Sequence, residues 1–221
     1  MQLTVFNGSP RGQKSNTRLL LERFQRGFES RGGRLHRLHY LVKLNDREQQ
    51  VDAFARAPGP VLLAFPLYTD CMPGIVKEFI EHLRPLCGRE GLPPALFLVQ
   101  SGFPEARHSR FVERYLEKLT RRLGCGYLGT MVRGGVEGIQ VMPAVMTRKL
   151  YGLMEKLGAG LAETGRLDPD LLRKLATPET LSPFARWMYE KLLYRISNNY
   201  WNSQLKKNKA LRRREDRPFA D

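Results

Sequence analysis

The sequence predicts an α/β domain built on a parallel sheet of five strands. Two runs, 61–65 (Val-Leu-Leu-Ala-Phe) and 95–99 (Ala-Leu-Phe-Leu-Val), are apolar at every position. Unbroken apolar runs of this length mark strands covered on both faces. Strand-like runs also alternate with segments of helical periodicity, the pattern of right-handed crossovers onto a parallel sheet. In such sheets ligands bind beyond the carboxyl ends of the strands. Three loops at such ends are rich in Ser, Gly, Pro or aromatic residues, and they are expected to converge.

The first strand is expected at 2–7 and the first helix at 18–30, where Leu20, Phe24 and Phe28 form one apolar stripe. Arg31-Gly32-Gly33 stops that helix. A second strand is expected at 35–41, although its apolar residues do not alternate strictly. His36 and His39 in this segment read as exposed or loop-facing imidazoles, because no third ligand lies nearby. A short helix at 46–57 precedes the third strand, 61–65. Pro73 and Gly74 then open a helix with Ile75, Phe79, Ile80 and Leu83 on one side. The fourth strand, 95–99, is followed by a helix at 108–123, a fifth strand at 127–132 and a helix at 145–163.

Beyond residue 164 the character changes. Asp168-Pro169, Thr177-Pro178 and Ser182-Pro183 each suit an N-cap followed by proline in the first helical position. A helix bearing Trp187, Tyr194 and Trp201 is expected from 184 to about 205, and a basic run occupies 206–214. The expected division is a sheet domain at 1–164 and a helical, basic C-terminal extension at 165–221.

The formal net charge of +15 over 221 residues favours anionic partners, the basic tail included. No stretch is long and apolar enough to span a bilayer. The N-terminus runs almost directly into a strand, with no room for a signal peptide, so a cytoplasmic location is expected. Cys71, Cys87 and Cys125 form no CxxC pair and read as reduced thiols with packing roles.

The stretch Asn7-Gly8-Ser9-Pro10-Arg11-Gly12-Gln13-Lys14-Ser15-Asn16-Thr17 joins the first strand to the first helix. A helix start offers unpaired N–H groups and a positive dipole end. Ser9, Ser15 and Thr17 add hydroxyls, and Arg11 and Lys14 add cations, so a phosphate dianion is the natural occupant. This is not a P-loop: Lys14-Ser15 has the right spacing from Gly8, but Gln13 stands where the second glycine is needed. The dinucleotide fingerprint GxGxxG is also absent after the first strand. What remains is a monophosphate held by hydroxyls and helix amides, with a planar ring held elsewhere. Pro66-Leu67-Tyr68 and Met72-Pro73 offer flat apolar surface beside backbone amides that could read the edge of a heterocycle.

Taken together, Asn7-Gly8-Ser9-Pro10-Arg11 with Ser15-Asn16-Thr17, then Pro66-Leu67-Tyr68 with Met72-Pro73-Gly74 and Lys77, resemble the NADPH-dependent FMN reductase family of flavodoxin-like oxidoreductases. Ser101-Gly102-Phe103-Pro104-Glu105 and Gly134-Gly135-Val136-Glu137-Gly138 resemble later segments of that family, and the match spans about 3–163. The resemblance implies a flavodoxin-like, doubly wound fold that binds FMN. By that resemblance Ser9, Arg11, Ser15, Asn16 and Thr17 hold the phosphate. Pro66, Leu67, Tyr68, Thr69 and Met72 surround the isoalloxazine, and Ser101, Gly102 and Phe103 close its far side. The compact cysteine motif of the family's iron–sulfur members is missing, so no metal site is expected.

The implied activity is hydride transfer from NAD(P)H through FMN to a small-molecule acceptor such as a quinone or free flavin. Arg-rich loops lean towards NADPH. A homodimer is a further expectation from the family. No catalytic side chain stands out, and hydride transfer needs none, since the cofactor carries the chemistry. Cys71, inside the second loop, reads as a thiol without a role. The nearest alternative is a flavodoxin-type electron carrier that binds FMN but does not react with NAD(P)H. A third reading, a binder of nucleic acid or anionic membranes, rests on the basic tail and its aromatic residues.

Overall fold

The computed structural model describes residues 1–217, and for 192–197 the backbone alone. It forms two compact units, Met1–Thr180 and Leu181–Asp221. The boundary expected at 164 falls at the end of a long helix, and the first unit continues through the next helix to Thr180.

In the first unit five strands, β1 (Gln2–Asn7), β2 (Arg34–Tyr40), β3 (Val61–Pro66), β4 (Ala95–Gln100) and β5 (Tyr127–Arg133), pair in the order β2-β1-β3-β4-β5. All four pairings are parallel. Between them run α1 (Asn16–Glu29), α2 (Arg47–Ala55), α3 (Gly74–His82) and α4 (Arg110–Leu123), with α5 (Ala144–Thr164) and α6 (Pro169–Leu175) after β5.

Alternate residues of the central strands feed two cores. Val61, Leu63 and Phe65 of β3 face Phe54 of α2, Val76 and Phe79 of α3 and Leu116 of α4. Leu62 and Ala64 face Leu20, Phe24 and Phe28 of α1 and Met154, Leu157 and Leu161 of α5. β3 and β4 are buried along their whole length, which is why their sequences are apolar up to the terminal Gln100 of β4.

β2 lies at the sheet edge, and its register explains its irregular sequence. Leu3 pairs with Leu35 but Thr4 with Arg37, so His36 is an extra residue in the strand. The bulge lets Leu35 and Leu38, three apart, pack on the same core. His36 is exposed as expected, whereas His39 is half-buried and stacks on Phe6, with ring centroids 4.9 Å apart.

α1 and α5 touch backbone to backbone. A Cβ on Gly27 would lie 1.8 Å from the Glu155 carbonyl oxygen, and one on Gly158 would lie 2.0 Å from that of Phe24. Only glycine permits this approach at either position.

Two of the three expected proline caps form. The Asp168 carboxylate accepts from the amides of Asp170 and Leu171, and the Ser182 hydroxyl accepts from that of Ala185. The third does not: no helix follows directly after Thr177-Pro178. That segment instead pairs with the turn before α4. Ala106 N donates to Pro178 O (2.9 Å) and Arg107 N to Glu179 O (3.2 Å). Arg110 grips the Glu179 carboxylate and holds its pKa below the usual range.

The second unit comprises α7 (Pro183–Met188), a π-helical turn at Tyr189–Leu193 and α8 (Tyr194–Lys207). The π turn interrupts what the sequence reads as one helix. The side chain of Tyr194 lies outside the described residues.

Candidate functional site

Three loops meet at the carboxyl ends of β1, β3 and β4, beside the chain's reversal from β2-β1 to β3-β4-β5. They form a narrow cleft lined by Ser9, Arg11, Asn16, Pro66, Leu67, Tyr68, Gln100, Ser101, Gly102 and Glu137. Eight of the thirteen residues expected from sequence are among these. Two larger hollows, between β2 and α2 and along α1 and α5, are broad and open to solvent.

The first loop is braced by its own side chains. The Asn7 amide donates to Ser15 Oγ (3.3 Å), and Asn7 Oδ1 accepts from Ser9 N (2.9 Å). Ser15 Oγ donates to Gly12 O (2.6 Å) and accepts from Arg18 N (3.1 Å), so it caps α1. Gly12 has φ of 54°, and a Cβ on Gly8 would lie 2.3 Å from Val76, so the turn requires both glycines. Thr17 Oγ1 accepts from the Gln100 amide (3.3 Å). The Ser15 hydroxyl is therefore committed to the protein, whereas Thr17 Oγ1 only accepts and keeps its proton to donate.

The backbone is not committed. The amides of Ser15, Asn16 and Thr17, at the start of α1, have no acceptor among the described residues. None of these residues is more than 3% exposed. Buried, undonated N–H groups at a helix N-terminus are the donor set an anion uses.

Residues after β5 close this side. Asn16 Nδ2 donates to Val136 O (2.8 Å), and Gln140 Nε2 donates to Asn16 Oδ1 (2.8 Å) and Lys14 O (3.0 Å). Glu137 pairs with Arg11 at 3.1 Å across the mouth, both side chains more than half exposed. Gln140 and Gln100 were not expected at the site, and Glu137 was quoted only as part of a resembling segment. Nothing local in the sequence marks them, since only the strand order brings the β5 loop against the first one.

The second loop departs from its expected use. Leu67 N donates to Gln100 O and Tyr68 N to Cys71 O, so these amides do not face a ligand. Tyr68 and Cys71 close a tight turn in which Thr69 (φ 48°) and Asp70 (φ 60°) are both left-handed. Thr69 is at the turn tip, outside the cleft lining. A β-branched residue at that φ is a conformational outlier. Leu67 is buried, Tyr68 is exposed, and Met72 packs against the core under α3. Ser101 Oγ donates to Phe103 O (3.1 Å). The Phe103 ring stacks on His108 at 4.5 Å, and His108 Nδ1 lies 3.0 Å from Asp70 Oδ1. This chain of contacts ties the second loop to the third. The three cysteines are free, with Cys71 exposed in the second loop.

Known structures share this architecture. An NAD(P)H:quinone oxidoreductase from Methanothermobacter marburgensis superposes with a TM-score of 0.59 at 16% identity, over 73% of this chain and 96% of that one. An apo NADH:FMN oxidoreductase gives 0.53 at 17% identity over 84% and 93%. A Trp repressor binding protein from Bacillus subtilis gives 0.53 at 17% over 73% and 98%. Neither a protein-family model nor a curated protein sequence matches the chain. Likeness at this identity establishes the fold, so the chain has a flavodoxin-like α/β fold.

Proposed function

We propose that this chain is an FMN-dependent oxidoreductase that passes a hydride from NAD(P)H to an acceptor such as a quinone or free flavin. The observation carrying this reading is the set of buried amides at Ser15, Asn16 and Thr17, placed at the switch point of the sheet. The names of the structural neighbours, two of them NAD(P)H:quinone and NADH:FMN oxidoreductases, support the same chemistry.

The donor set fits a flavin phosphate. The three amides hold it with the positive end of α1 behind them, and Arg11 exchanges Glu137 for it. Ser9 stands beside them in the cleft. Ser15 acts through its amide while its hydroxyl fixes the loop, and Thr17 offers both its amide and its hydroxyl proton. Pro66, Leu67 and Tyr68 on one side and Ser101 and Gly102 on the other supply walls for a flat ring. The cleft between them encloses only about 20 Å³ in this structure. Admitting a ring therefore requires the exposed Tyr68 side chain or the Arg11–Glu137 pair to move. Strained backbone at Thr69 and Asp70 is consistent with a ligand clamp.

When bound, FMN supplies the two-electron chemistry; the protein orients and shields it. The amide of Gly102, which lines the cleft, has no acceptor among the described residues and would serve the polar edge of the ring. We place the active form in a homodimer in the cytoplasm, with NADPH as the favoured donor.

The test is direct. The expected outcome is a yellow purified protein that releases FMN on denaturation and bleaches on mixing with NADPH. Arg11→Ala weakens FMN binding while leaving the melting temperature of the flavin-free protein nearly unchanged, because its ion pair is exposed. Colourless protein that neither binds added FMN nor melts higher with it refutes the proposal. A yellow protein that NADPH does not bleach is a carrier instead.

A further inference from the structure

The second unit is built differently from the first. Its 41 residues hold ten Lys or Arg against four Asp or Glu, and both tryptophans of the chain. Among the described residues, several of its large apolar side chains face solvent: Phe184 is 69% exposed, Trp187 56% and Trp201 60%. Phe184, Trp187 and Met188 fall at i, i+3 and i+4, one side of a single helical turn. The rings of Phe184 and Trp187 stack with centroids 6.2 Å apart. Tyr200 and Trp201 form a second exposed pair, edge to face at 5.7 Å.

The cations are concentrated at the other end. Residues 206–214 carry six Lys or Arg and no acidic residue. Arg213 pairs with Asp216 and Arg214 with Glu215, while Lys206, Lys207, Lys209 and Arg212 are exposed and have no carboxylate partner among the described residues. No helix among the described residues is long and apolar enough to cross a membrane.

We propose that the unit Leu181–Asp221 docks on the surface of an anionic lipid bilayer. The α7 side chains enter the headgroup–acyl boundary, and the 206–214 cations lie against the phosphates. Charge complementarity selects the anionic surface, to which each nearby cation adds attraction. The kind of exposed side chain selects lipid. Phe184 and Met188 have no polar tip, and only an apolar medium takes them out of water. α7 itself holds one cation, Arg186, whereas a single-stranded nucleic acid track needs rings and cations side by side. A second copy of the unit would bring like charge against like. An apolar insertion combined with a basic patch is the two-signal arrangement that peripheral membrane attachment requires.

The experiment uses the full chain and sedimentation with vesicles of phosphatidylcholine, with and without phosphatidylglycerol. Because both tryptophans lie in this unit, intrinsic tryptophan fluorescence reports on it alone. The expected result is binding to the anionic vesicles only, with a blue-shifted emission. Raising salt weakens that binding by about tenfold or more. Lys206→Glu/Lys207→Glu/Lys209→Glu, all exposed positions, lowers binding by at least about tenfold. Phe184→Ser/Met188→Ser keeps both reporters and abolishes the blue shift. Absent binding, equal binding to both vesicles, or binding without any shift overturns the proposal. So does a double-stranded or single-stranded nucleic acid that strips the protein from the vesicles at equal charge.

Discussion

Replacing Ser15 by alanine tests the claim that this hydroxyl builds the loop instead of contacting ligand. Three bonds disappear: to Gly12 O at 2.6 Å, from Arg18 N at 3.1 Å and from the Asn7 amide at 3.3 Å. Losing the helix cap costs about 1 kcal/mol. Gly12 O keeps only a long contact with the Asn7 amide, 3.4 Å, and that loss adds about 1 kcal/mol. The Asn7 amide, inside a residue with no exposure, loses one of its two acceptors. The sum is about 2 to 3 kcal/mol, which for a unit of this size lowers the melting temperature by roughly 5 to 10 °C. The assay is urea unfolding of flavin-free protein followed by far-ultraviolet circular dichroism. Flavin must be absent because a bound ligand adds its own stabilisation, and tryptophan emission reports only the other unit. Ser15→Thr retains donor and acceptor and should recover most of the loss. A change below about 0.5 kcal/mol in Ser15→Ala refutes the hydrogen-bond network as described.

Gly158→Ala puts a Cβ against Phe24 O, and α1 and α5 must part; calorimetry should show destabilisation of about 3 kcal/mol or more, and a near-neutral variant means the crossing is looser than described. Burial first, and the neighbouring Cys87 thiol second, push the Cys125 thiol up to about 11. At pH 8 a thiol reagent should therefore modify Cys71 and Cys87 in the native protein and reach Cys125 only on unfolding; three equal rates contradict this. Burial, then Arg37, lowers the pKa of His39 from 6.5. The unfolded chain then binds more protons below pH 6.5, so stability is full above that pH and falls as acid is added. His39→Gln should flatten that part of the stability–pH curve, and an unchanged slope assigns it to other groups.

Where a segment meets apolar neighbours on every side, its sequence shows it, and β3 and β4 were legible almost to the residue. β2 was harder because an edge strand with a bulge has no clean period. Ser15 reads in the sequence as a ligand hydroxyl and is a helix cap in the fold, whereas Asp168-Pro169 as a helix start follows from local chemistry. Thr177-Pro178 has the same local signature, but its backbone is claimed by the turn before α4, a contact far away in sequence. The same limit applies at the cleft. The loop after β1 announces an anion site, yet whether a hydroxyl or an amide faces the ligand depends on partners such as Gln100, set by strand pairing. Tyr68 N and Leu67 N were open donors on paper and are spent in the fold.

The glycine contact between α1 and α5 has a mechanical consequence. With no side chains between the two backbones, α1 has no cushion on which to slide or tilt. Its first turn, which carries the three amides, is thereby a fixed floor, anchored through the C-terminal half of the helix to its neighbour α5 on the same face of the sheet. Whatever adjustment a guest molecule demands falls to the side chains above that floor, the exposed Tyr68 and the Arg11–Glu137 pair.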